Sequence, residues 1–169
     1  MDSPDQPTCG LPTNGVAKKH KTEILRIESM VLTHANCTLA WKIFSDWHLW
    51  PKFSQVYGNP IEWHGPPWES GSRMIIDIVR PVPAKVDRVI TVCTPPRCVA
   101  WINHVHGYTM EQWVVFDPHA SGAKVTTWIE LTGPALCGEK HDMKKLMKTF
   151  IDEWFQNFSA ECDRAANRH

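Results

Sequence analysis

The chain has 169 residues, with 18 basic and 18 acidic side chains and no net charge at neutral pH. That length suits one domain with a substantial core. The even balance argues against a nucleic-acid or anionic-membrane surface, which needs clustered positive charge.

Nine tryptophans point to heavy aromatic packing, and the same composition suits a hollow fold with aromatic walls. The six cysteines (Cys9, Cys37, Cys93, Cys98, Cys137 and Cys162) contain no CxxC pair and no regular spacing. Free thiols in a reducing compartment are therefore expected, rather than a zinc site or a disulfide scaffold. No stretch approaches the ~20 apolar residues of a membrane span, so a cytoplasmic protein is expected.

Residues 1–21 hold Pro4, Pro7, Gly10, Pro12, Gly15 and the short basic run Lys18, Lys19 and His20, a composition that predicts a flexible leader. Residues 22–166 are expected to form the domain, with 167–169 as a tail. From 22 to 32 the residues alternate, with Leu25, Ile27, Ser29 and Val31 in one phase, which predicts a strand. Asn36 is placed to cap a helix whose apolar face is Leu39, Ala40, Ile43, Phe44 and Trp47. Pro51 interrupts that helix, and Trp50-Pro51-Lys52-Phe53 starts a second short turn. Residues 59–63 read as a short strand. A turn-rich loop, Gly65 to Gly71, follows with Trp68 inside it; that ring either folds onto the core or covers a pocket mouth.

Five further strands are predicted at 72–80, 85–93, 98–104, 108–116 and 123–132, separated by proline- and glycine-rich turns. Short strands on short turns argue for a sequential antiparallel meander. Beyond Gly133 and Pro134 one long helix is expected over 139–166. Met143, Leu146, Met147, Phe150, Ile151, Trp154, Phe155, Phe158, Cys162 and Ala165 fall at spacings of three and four along one stripe. At 1.5 Å per residue it spans roughly 40 Å. A stripe of that size must be covered, and the strand-rich region is the available cover.

The order strand, two short helices, six strands and long terminal helix resembles the START-like (SRPBCC) helix-grip superfamily, in its polyketide cyclase/dehydrase-like branch, related to Bet v 1. The likeness is carried by Trp41-x-x-Phe44-x-Asp46, Trp50-Pro51-x-Phe53, Gly71, Pro95-Pro96-Arg97-x-Val99-x-Trp101, Gly122 and Gly133, and it covers residues 22–166. It implies an α+β fold in which a curved antiparallel sheet wraps around the C-terminal helix, with two short helices after the first strand. It also implies a cavity between sheet and helix that takes a hydrophobic small molecule. An activity does not follow from it, because one fold hosts enzymes, carriers and receptors.

Candidate site residues are polar or aromatic groups sharing the inward phase of each strand. As in relatives of this pattern, Trp113 and Val115 are expected inward, bringing Thr109 and Glu111 with them; the other phase holds Met110, Val114 and Phe116. A carboxylate in an apolar cavity titrates high and can act as general acid or base. Arg88 lies inward if Val86 and Ile90 do, and in water if Val89 and Thr91 take the inside. Asn103 shares the phase of Val99 and Trp101, and Thr127 that of Val125 and Ile129. His104-x-His106 followed by Glu111 resembles half of a cupin metal motif, but no partner motif completes it, so no metal and no cofactor are expected. His104 is a candidate acid/base at the cavity mouth.

The catalytic candidates are thus Glu111, His104 and Arg88. The ligand-binding candidates are Trp101, Asn103, Trp113, Thr127, Trp68, Phe150 and Trp154. Two functions follow from the sequence and its resemblance, ahead of a third, a protein-interaction module with a vestigial cavity. One is binding of an aromatic or polyketide-like molecule with its cyclisation, dehydration or isomerisation; the other is non-catalytic carriage or sensing of a hydrophobic ligand. A monomer or homodimer is expected, with no nucleic-acid partner and no membrane insertion.

Overall fold

A computed structural model describes residues 23–58, 60–105, 107–133 and 136–168; the expected leader lies outside them. Strand β1 (Ile24–Thr33) leads into helices α1 (Cys37–Ser45) and α2 (Trp50–Phe53). Strands β2 (Glu62–His64), β3 (Arg73–Ile78), β4 (Ala84–Thr94), β5 (Cys98–Val105), β6 (Tyr108–His119) and β7 (Gly122–Thr132) follow, and helix α3 (Leu136–Ala166) closes the chain. The seven strands form one antiparallel sheet in the order β1-β7-β6-β5-β4-β3-β2. β2 to β7 are thus a meander, and β1 returns to pair along β7 from Ile24–Thr132 to Thr33–Ala123. This is the helix-grip fold.

Local chemistry accounts for the boundaries. The Asn36 side chain accepts the Leu39 N–H at 2.9 Å and caps α1. Pro51 sits in the first turn of α2, where its missing N–H costs nothing. Gly122 makes the β6–β7 turn at φ +141°, and a Cβ there would come within 2.4 Å of the Thr33 carbonyl oxygen. Helix α3 begins three residues before Glu139. Its first residue, Leu136, is buried in the core, whereas the apolar periodicity starts only at Met143.

One face of the sheet and the apolar stripe of α3 enclose the core. Phe150, Ile151, Trp154, Phe155, Phe158 and Cys162 of α3 are all buried. Trp154 stacks on Phe158 at 5.4 Å and meets Trp50 at 5.2 Å and Phe44 at 5.6 Å. Trp68 packs against Phe44 and Trp63 and donates its indole N–H to the Ser45 carbonyl at 2.7 Å, so it folds onto the core. Among the described residues no helix is long and apolar enough to cross a membrane.

The far end of α3 is tied to the exit of β1. The Thr33 hydroxyl and the His34 N–H both donate to Asp163 Oδ1 at 2.7 Å, and Ser159 donates to the Leu32 carbonyl. Burial pushes the Asp163 carboxyl up, but the Thr33 and His34 hydrogen bonds outweigh it and leave its pKa below the ordinary carboxylate value. A depressed pKa gives stability that is complete above the unfolded value of about 3.9 and lost as pH falls through the folded value.

Two outcomes are expected. Trp154→Ala should cost about 3–5 kcal/mol in urea unfolding, as truncation of a large core ring does. Asp163→Asn should lower the thermal midpoint at pH 7, with its gap to wild type closing below about pH 4; thermal melts between pH 2 and 7 read this directly.

Candidate ligand site on the inner face of the sheet

Strand alternation settles which side chains meet α3. On β4, Val86, Arg88 and Ile90 are buried while Asp87 pairs with Arg73 of β3 on the outer face. That outward ion pair fixes the phase of its neighbour Arg88. On β5, Val99, Trp101 and Asn103 point inward, and on β7 Val125, Thr127 and Ile129 do so.

On β6 the inward phase is Met110, Gln112, Val114 and Phe116. The expectation that Glu111, Thr109, Trp113 and Val115 face inward is therefore corrected. Trp113 lies on the outer face, stacked on Trp128 at 5.8 Å and 10°, with its indole N–H donating to Glu111 Oε1 at 2.8 Å. Arg26 sits 4.9 Å above Trp128. The outer face thus provides the cover that a tryptophan needs, which is why Trp113 was a poor guide to facing. His104 is exposed on the outer side of β5 and bonds the Thr109 hydroxyl at 3.0 Å. It is not at a cavity mouth with Glu111 and Arg88; His106 lies outside the described residues.

The inner face carries Arg88, Trp101, Asn103 and Thr127, all buried, and Tyr57 links Arg88 to Phe150 and Trp154 of α3, its ring lying 5.8 and 6.1 Å from theirs. Arg88 and Asn103 flank the Val89–Ile102 register pair, and Trp101 is directly opposite Gln112. Arg88 is 0 % exposed. Its guanidinium lies 5.1 Å above the Trp101 ring and 5.3 Å above the Tyr57 ring, and Nη2 donates weakly to the Tyr57 hydroxyl at 3.3 Å. Nε and Nη1 have no partner among the described residues.

The same is true of both amide atoms of Asn103, the indole nitrogens of Trp101 and Trp154, and Gln112 Oε1. Gln112 Nε2 donates to the Thr127 hydroxyl at 3.1 Å, and Thr127 donates to the Trp113 carbonyl at 2.7 Å. A buried polar atom without a partner costs about 1–3 kcal/mol, more if it is charged. Buried polar groups in folded proteins are nearly all paired, so a cluster of exceptions needs an explanation. Groups of this kind, next to aromatic walls, suit a molecule that brings its own polar atoms.

Sequence reasoning did not single out Gln112, Tyr57 or Met110. Gln112 and Met110 lie in the phase of β6 left as the alternative, and Tyr57 follows α2, where no periodicity operates. Two open grooves lie elsewhere. One, of about 450 Å³, lies between β1 and α3; the other, of about 620 Å³, runs beside Trp113 and Trp128 on the outer face.

No family model matches the chain, and no curated protein matches it in sequence. Solved structures share its fold. A two-domain aromatase/cyclase, StfQ of the steffimycin biosynthetic pathway, superposes with a TM-score of 0.71 at 13% identity over 85% of this chain and 52% of that one. The protein Ara h 8.0201 gives 0.69 at 10% identity over 83% and 98%. A norcoclaurine synthase mutant from Thalictrum flavum, bound to a transition-state analogue, gives 0.66 at 11% identity over 84% and 96%. At these identities the likeness is one of fold.

The unpaired amide of Asn103 is open to a direct test. Asn103→Leu should stabilise the unliganded protein by about 1 kcal/mol or more in urea unfolding, because it removes an unpaired buried amide. Glu111→Gln, which keeps an acceptor for Trp113 on the outer face, should stay within about 0.5 kcal/mol of wild type.

Proposed function

We propose, from the helix-grip fold this chain shares with a polyketide cyclase and a norcoclaurine synthase, that it binds a hydrophobic aromatic or polyketide-like molecule between the sheet and α3. The observation that carries this reading is the group of buried donors and acceptors on Arg88, Trp101, Asn103 and Gln112 that have no partner among the described residues. Protein interiors do not tolerate such groups without return, and binding sites combine apolar walls with a few polar anchors. Trp154, Tyr57 and Phe150 supply the walls. Arg88, Asn103 and Trp101 supply the anchors.

Carriage or sensing of the ligand fits this interior better than acid/base catalysis. The two groups nominated to move a proton, Glu111 and His104, face outward, and among the described residues no carboxylate or imidazole is buried. Cyclisation or dehydration remains the second reading, favoured by Arg88 alone. A desolvated guanidinium can stabilise negative charge developing on a carbonyl oxygen, as oxyanion donors do. In that case protons would come from solvent or from the substrate itself.

The test is binding of N-phenyl-1-naphthylamine, a neutral aromatic dye. One molecule per chain is expected in native mass spectrometry, together with a saturable rise in dye fluorescence. Met110→Trp, which fills the inner row beside Asn103, should weaken that affinity at least tenfold. Failure of both this dye and its sulfonated counterpart to saturate the wild-type protein would overturn the reading.

A further inference from the structure

We infer that the interior ligand carries an anionic oxygen group and that Arg88 receives it. The inference rests on the binding reading above and specifies the chemistry of the guest. Charge balance is the starting point. Arg88 is the only charged side chain among the buried described residues, and a buried charge is strongly destabilising unless an opposite charge or good hydrogen bonds compensate it.

Among the described residues no neighbouring element supplies such a charge. Next to Arg88 on β4, Asp87 is turned outward onto Arg73. On β6, Glu111 is on the outer face, held by the Trp113 indole. On α3, Asp152 is engaged by Lys148 and Ser29, and Glu153 by Arg80. The only side-chain hydrogen bond Arg88 makes among the described residues is the weak one to the neutral Tyr57 hydroxyl. Its positive charge is therefore matched by nothing in the described interior.

Donor and acceptor types point the same way. Among the described residues the unpaired buried donors are Arg88 Nε and Nη1, Asn103 Nδ2, and the indole nitrogens of Trp63, Trp101 and Trp154; the unpaired acceptors are only Asn103 Oδ1 and Gln112 Oε1. An acceptor-rich group is what this excess of donors recognises, and charge-assisted bonds to a guanidinium are about twice as strong as neutral ones. A carboxylate, enolate or phenolate on an aromatic frame meets both requirements. The Trp101 and Tyr57 rings that flank the guanidinium exclude water from the ion pair and strengthen it.

The experiment compares two dyes that differ in one group: 1-anilinonaphthalene-8-sulfonate and its neutral counterpart, N-phenyl-1-naphthylamine. Affinities are read by fluorescence titration of the full chain. Wild type is expected to bind the sulfonate at least tenfold more tightly than the neutral dye. Arg88→Met should collapse that ratio to within about twofold of one, and the unliganded variant should melt at a higher temperature than wild type because the uncompensated charge is gone. Arg88→Lys should keep part of the preference, and with the wild-type comparison it carries the test independently of how Arg88→Met folds.

Equal affinities in wild type, or a preference that survives Arg88→Met, would overturn the anion inference while leaving the binding reading standing. Binding of neither dye would overturn both.

Discussion

The contact on which the structure depends is the meeting of α3 with α1 and α2 through their aromatic rings. Phe44 stands in the middle of it, with Trp154 and Phe158 of α3, Trp50 of α2, Phe116 of β6 and Trp68 of the loop all within 6.0 Å of its ring. Large rings in edge-to-face contact bury much area at little entropic cost, because each has only two side-chain torsions to fix. They hold the last helix against the sheet at one end. The bonds from Thr33, His34 and Ser159 hold it at the exit of β1.

The polar groups of the interior lie at the border of this ring cluster. Arg88 touches the cluster through Trp101 and Tyr57, and Tyr57 in turn meets Trp50 and Trp154. The same rings that stabilise the fold therefore enclose a positive charge that no described residue compensates. Stability and recognition oppose each other here, as they do wherever a protein holds functional groups it cannot satisfy alone. The outer face shows the contrast. There Arg26 is paired with Glu28 and Glu130 and Arg73 with Asp87, and the tryptophans Trp113 and Trp128 cover one another.

Most of the architecture was legible in the residues. The period of three and four along α3, the capping Asn36 and the turn glycines each have a local cause that acts without reference to the rest of the fold; Pro51, expected to interrupt the first helix, instead lies in the first turn of α2, and α1 ends earlier, at Ser45. The inward positions of Asn103, Trp101 and Thr127 were readable as well, since they share a phase with β-branched or aromatic neighbours that can only be core. Residues 108–116 were less clear, because both phases of the strand are apolar there. Trp113 and Val115 oppose Met110, Val114 and Phe116, and hydrophobicity alone does not choose between them. Register chooses: Gln112 lies between Trp101 and Ile129 across the sheet, both of them inward, so Glu111 must lie outside.

The amino-acid sequence by itself determined the elements, their order and the apolar stripe around which they assemble, because these follow from spacing and from short-range chemistry. Only the tertiary structure decided which of two plausible faces each ambiguous strand turns inward. It alone showed that Arg88 is buried with no acid among the described residues to meet it. Facing is set by strand partners far away in the chain, and the absence of a counter-charge is a property of everything that surrounds a side chain, which no local pattern records.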